Sequence, residues 1–167
     1  IDNVESLVAS TDSLTTMQAL SDEGAIKKIL LVSDLHSNPV GIELIKSLVS
    51  SFNIDMVIDA GDLTDFGSSL ETKTAQAVSD LGIPYVFSPG NHETKEMVDF
   101  LRKLPHVTVL NGTTKEVQGI RILGIPDPLS VFPEVDTHDR ERWNQMVSTT
   151  VAAAEKKIQA EGSPDIL

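Results

Sequence analysis

ILLVSDLH at residues 29–36, MVIDAGD at 56–62 and YVFSPGNHE at 85–93 each carry an apolar run into a polar end: Asp34 with His36, then Asp62, then Asn91 with His92. Asp34, Asp62 and Asn91 follow one another at intervals of 28 and 29 residues. A strand, a helix and a return loop use about 30 residues, so three such units bring three strand ends side by side in one sheet. Ligands of open α/β sheets bind at those carboxyl ends. Two carboxylates, two imidazoles and one carboxamide suit hard or borderline metal ions rather than an apolar ligand. The set reads as most of a two-metal site.

The surrounding pattern supplies the units. Residues 29–33 are a continuous apolar strand of the kind buried on both faces. Residues 40–51 place Val40, Leu44, Ile45, Leu48 and Val49 on one helical face. A second strand is expected over 56–59, a helix over 68–80, a strand over 85–87 and a helix over 93–104. Short strands are expected at 107–110 and 120–125, with 115–118 as a hairpin arm and turns at Asn111-Gly112 and Gln118-Gly119. The stretch 126–137 has three prolines and no apolar period, so it reads as a long surface loop, often a functional element. A last helix is expected over 138–161, and Asp165-Ile166-Leu167 begins another strand. The spacing in 1–25 predicts a helical or irregular leader outside a domain over 26–167.

A chain of 167 residues, 40% hydrophobic and 23% charged, fits one globular domain with its own core. The net charge of -12 argues against nucleic-acid backbone binding, which draws on a Lys and Arg surplus. A small phosphate ester stays compatible if metal ions supply positive charge locally. With no cysteine there is no disulfide, thiolate ligand or Cys nucleophile. No apolar stretch approaches the length of a membrane span. The chain begins at Ile1 rather than Met, so a segment upstream is expected to have been removed, and any membrane tether would lie there.

Asp34 and His36 alternate across Leu35, and a strand-end loop can turn both toward one ion. Asp62 follows Gly61, whose missing side chain permits a tight turn, and its two oxygens can bridge two cations. Asn91 offers a neutral oxygen, and His92 is free to work on protons. Singly these motifs are ordinary caps and turns, with Glu93 favouring a helix N-terminus. Three independent caps do not explain their order and spacing.

The motifs Asp34-x-His36, Gly61-Asp62-x-x-Asp65 and Gly90-Asn91-His92-Glu93 resemble the first three signature blocks of the calcineurin-like metallophosphoesterase superfamily, and Gly124-Ile125-Pro126-Asp127-Pro128 resembles the strand-to-loop segment that follows them. The resemblance implies an α/β fold, a β-sandwich of two sheets flanked by helices. It also implies a dinuclear centre of manganese, iron or zinc that hydrolyses phosphate mono- or diesters through a metal-bridging hydroxide. Asp34 and His36 would bind the first metal, Asp62 would bridge, and Asn91 would bind the second. His92 would protonate the leaving alkoxide or steady the phosphoryl oxygen, with Asp65 as its orienting partner.

The later family blocks, a Gly-His and a Gly-His-x-His, are missing, and the remaining histidines, His106 and His138, read as surface residues. The chain is therefore expected to be the first half of a longer protein, an incomplete sandwich with a weak second metal site and little or no activity of its own. Its uncovered sheet face is expected to drive self-association. The alternatives are a non-catalytic metal-binding or scaffold module, or a structural α/β domain with coincidental motifs. The Ser/Thr-rich, cysteine-free leader suits an exported or membrane-tethered bacterial protein slightly better than a cytosolic one.

Overall fold

Four short strands, β1 (Ile29–Val32), β2 (Met56–Asp59), β3 (Tyr85–Phe87) and β4 (Val107–Val109), lie parallel in the order β1-β2-β3-β4. The register pairs Ile29 with Met56, Val57 with Tyr85 and Tyr85 with Val107, which leaves the three polar motifs at one edge. The structure is a computed structural model, and it describes residues 27–131 and 138–167. The expected leader and residues 132–137, the second half of the expected 126–137 loop, lie outside the described residues.

The connections are helical, as the periodicity predicts. α1 (Pro39–Phe52) starts where Asn38 accepts the Val40 and Gly41 amide hydrogens and Pro39 needs no partner, and it stops at Asn53 in a left-handed conformation (φ 50°). A 3₁₀ turn (Ser69–Glu71) leads into α2 (Thr72–Ser79), and α3 spans Lys95–Leu101. α3 is shorter than the 93–104 its apolar spacing predicts because Thr94 caps it, accepting from the Met97 amide, while Glu93 is drawn into the strand-end loops. Ile42 and Ile45 of α1, Ala75 and Val78 of α2, and Met97 and Leu101 of α3 pack against Val57, Tyr85 and Phe87.

The other side of the sheet carries a different layer. β5 (Thr113–Val117) and β6 (Ile120–Gly124) form an antiparallel hairpin closed by Gln118 and Gly119, both with positive φ. Ile122 joins Met56, Val86 and Leu110 in a second, smaller core. The hairpin arm at 115–118 is thus a full strand beginning at Thr113, and 107–110 belongs to the parallel sheet instead. After the short α4 (Pro128–Val131), α5 (Arg140–Glu161) runs its 22 residues with only Met146 buried. Its predicted apolar stripe is partly open, and Val151 faces a cavity of about 370 Å³ shared with Leu31, Val86 and Leu123. Leu31, midway along β1, is 70% exposed. Ile166 forms an isolated parallel bridge with Ile122 of β6, so one residue of the expected last strand pairs with the hairpin and 165–167 do not form a strand of their own. Among the described residues, no helix is long and apolar enough to cross a membrane.

Candidate metal centre

The ladder between β1 and β2 does not end with the strands. The amide of Asp34 donates to the Gly61 carbonyl, that of His36 to Asp62 and that of Ser37 to Leu63, each at 2.9 Å. These bonds hold backbone that non-glycine residues avoid: φ is 55° at Asp34, 45° at His36, 52° at Ser37 and 55° at Asp62. Each such residue costs on the order of 1–3 kcal/mol and persists only where its surroundings enforce it, a pattern that gathers at functional sites. The third loop closes on the second through two glycines. A β-carbon on Gly61 would overlap the Gly90 backbone, and one on Gly90 would overlap the Asp62 carboxylate.

Glu93, which local sequence assigns to a helix start, ties these loops together. Its carboxylate is buried and accepts from the amides of Gly90 at 2.9 Å, Thr64 at 3.0 Å and Asp62 at 3.2 Å, and from the Thr64 hydroxyl at 3.2 Å. Glu71 does the same for the outer rim, accepting from the Asp65 amide at 2.6 Å, the Ser37 hydroxyl at 2.7 Å, and the Ser68 amide and hydroxyl at 2.8 Å. Desolvation works against its ionisation, but the Ser68, Ser37 and Asp65 donors outweigh it and bring its carboxyl down to about 2. Neither role is readable from spacing, because the donors lie up to 34 residues away.

His36, Asp62 and His92 offer ligand atoms within 4.8 Å of one another. The two imidazole rings meet edge to face, with centroids 4.7 Å apart. Asp62 Oδ1 accepts the His92 amide hydrogen at 3.1 Å, so the second and third loops share this carboxylate. Asp34 is more peripheral: its side chain is 65% exposed, with Oδ1 3.9 Å from His36 Nε2. Asn91 is exposed on the third loop, beside His92. Asp65 meets both histidines, though differently from the sequence expectation. Its carbonyl, not its carboxylate, stands 2.6 Å from His92 Nδ1, and its carboxylate lies 3.3 Å from His36 Nδ1. The Asp65 carbonyl is the main cause of a raised His92 pKa, with desolvation opposing it and the Asp62 carboxylate adding to it. With Nδ1 committed there, Nε2 is the nitrogen left for the site. His106 sits at the amino end of β4, the far edge of the sheet.

Nitrogen and oxygen donors brought together on strained, cross-braced backbone fit a transition-metal ion. A parallel sheet with such a group at its carboxyl edge defines an α/β protein whose strand ends carry side chains able to hold a metal ion. The family model for calcineurin-like phosphoesterases matches residues 27–158, most of the chain, and the protein belongs to that family. No curated protein matches it. Among solved structures, one crystal structure aligns at 13% identity and a TM-score of 0.48, over 59% of this chain and 52% of its own. The chain therefore spans about half the length of that structure. A protein of unknown function from Aquifex aeolicus, AQ665, aligns at 16% identity and a TM-score of 0.47, over 79% of this chain and 74% of its own.

Proposed function

We propose that this chain carries the hydrolytic site of a metal-dependent phosphoesterase acting on small phosphate mono- or diesters, and that by itself it is weakly active or inactive. The observation that carries the reading is the convergence of His36, Asp62 and His92 within 4.8 Å at the carboxyl ends of parallel strands. Asp34, His36 and Asp62 would hold a first manganese, iron or zinc ion, and Asp62 with Asn91 would serve a second. Bound ions of this kind supply positive charge to phosphoryl oxygens and lower the pKa of water. Asp62 and Asn91 alone make a poor second site, so the second ion is the weaker. His92, steadied through Nδ1 by the Asp65 carbonyl, presents Nε2 to deliver a proton to the leaving alkoxide. Glu93 and Glu71 keep the three loops in register.

Calorimetric titration with Mn²⁺, followed by an aryl phosphate assay, tests the proposal. The chain should take up at least one ion, and Asp62→Asn should weaken uptake by at least about 100-fold, beyond what losing an outer supporting residue costs. His92→Ala should slow any turnover by about 100-fold while leaving Mn²⁺ affinity nearly intact. An equal loss of affinity would make His92 a ligand instead. No uptake by the unaltered chain would end the metalloenzyme reading. Uptake without turnover, in this chain and in any longer form of it, would favour a non-catalytic metal-binding module, a reading helped by the single three-donor group among the described residues.

A further inference from the structure

Asp59 closes β2 three residues before Asp62 and is completely buried. A carboxyl group in the core is costly unless its oxygens are satisfied. Here both are: the Tyr85 hydroxyl donates to Oδ2 at 2.5 Å, and the Gly61 amide donates to Oδ1 at 3.0 Å. Burial is the main cause of a carboxyl pKa pushed up to about 7, with the Tyr85 and Gly61 bonds acting against it. Tyr85, on the next strand and equally buried, keeps its proton because desolvation and the Asp59 charge both raise its pKa. An apolar side chain in this position would fill the core at less cost, so the pair calls for a purpose other than packing.

The bonds around Asp59 lead to all three loops. Its side chain holds the Gly61 amide, and the Gly61 carbonyl in turn accepts the Asp34 amide. Gly61 also abuts Gly90, which leads into Asn91 and His92. The main-chain carbonyl of Asp59 accepts the Ser88 amide at 2.9 Å, at the start of that third loop. Given the metal-centre reading above, we propose that Asp59, anchored by the Tyr85 hydroxyl, is a positioning residue that sets the Gly61 turn and thereby the mutual placement of Asp34, Asp62 and His92. The sequence hides this pair because Asp59 and Tyr85 stand 26 residues apart in what read as ordinary apolar strands.

Three variants and the unaltered chain decide the matter. Asp59→Ala, checked for folding by circular dichroism, should bind Mn²⁺ at least about tenfold more weakly in calorimetry. Asp59→Asn keeps an oxygen for the Gly61 amide and should stay within about threefold of the unaltered chain. Folded Asp59→Ala with undiminished affinity overturns the proposal, as does Asp59→Asn that binds no better than the alanine variant. Amide exchange by NMR, without metal, gives a second readout that also holds if Asp59→Ala does not fold. In the near-isosteric Tyr85→Phe, the Gly61 amide should exchange about tenfold faster than in the unaltered chain, with Gly82 as the unchanged reference. Equal Gly61 exchange in the two proteins overturns the proposal. Failure of the unaltered chain to bind Mn²⁺ refutes the metal-centre reading itself, whereas the exchange comparison reports on the Asp59 anchor alone.

Discussion

Glu93 shows how one residue can govern a site without being a ligand. One buried carboxylate satisfies four donors from two loops, and only an acceptor with two charged oxygens can do so. Glu93→Gln would keep the volume but set an NH₂ group against amide or hydroxyl hydrogens on one side. Bonds to a charged group are worth about 1.5–3 kcal/mol each, and buried donors left unpaired cost a similar amount. We therefore expect Glu93→Gln to destabilise the chain by about 3 kcal/mol, read as a lower urea midpoint at unchanged slope; a loss below about 1 kcal/mol would show that the loops hold without it. The sequence motif containing Glu93 was readable, its role was not. A carboxylate at a helix start looks alike whether it serves its own helix or a loop 29 residues earlier. Asp65 is the same case: the family resemblance made it the partner of His92, and it is the Asp65 carbonyl that carries the contact.

At the level of elements, what was readable had a local cause. The intervals between Asp34, Asp62 and Asn91 reflect the length of a strand, helix and return, so the three parallel strands and the edge they share follow from counting. The assignment of 107–109 to the parallel sheet and of 113–117 to the hairpin depends on partners that no window reveals, because Val107 pairs with Tyr85 and Thr113 with Gly124. Gly124 also explains how the hairpin seats on the sheet. A β-carbon there would overlap Leu110, the buried residue that follows β4, and the Gly112 amide donates to the Gly124 carbonyl at 2.9 Å. Gly124→Ala should force the two layers apart and cost about 1–3 kcal/mol, the usual range for overpacking. Gly124 bonds Gly112, but the next carbonyl, that of Ile125, accepts the Ser88 hydroxyl at 2.9 Å at the start of the third loop, so Mn²⁺ affinity in the folded protein should fall by less than about tenfold, less than for Asp59→Ala. A thermal melt together with a metal titration checks both halves, and wild-type stability would mean that Leu110 has room to move.

For the molecule as a whole, composition made the charge plain, and the buried pair decides how that charge acts on stability. Asp59 titrates near 7 when folded and near 3.8 when exposed by unfolding, so between those values the native state keeps a proton that the unfolded chain has released. The sign follows from linkage: the stabilisation from protonated Asp59 is complete below about 3.8 and is lost as pH rises through about 7. At about 1.4 kcal/mol per pKa unit it amounts to at most a few kcal/mol. The net charge of -12 acts in the same direction, because acidification relieves self-repulsion. Glu71 opposes them, but its contribution is present above about 4.5 and lost only as pH falls through about 2, so it does not shape the range from pH 5 to 8. In chelator-treated protein the melting temperature should therefore be highest near pH 5 and fall toward pH 8, and Asp59→Asn should flatten most of that slope. Added Mn²⁺ should reverse the trend, since carboxylate and imidazole ligands bind metal only when deprotonated. A metal-free melting temperature that climbs from pH 5 to 8, or an Asp59→Asn profile parallel to the unaltered one, would remove Asp59 from control of stability.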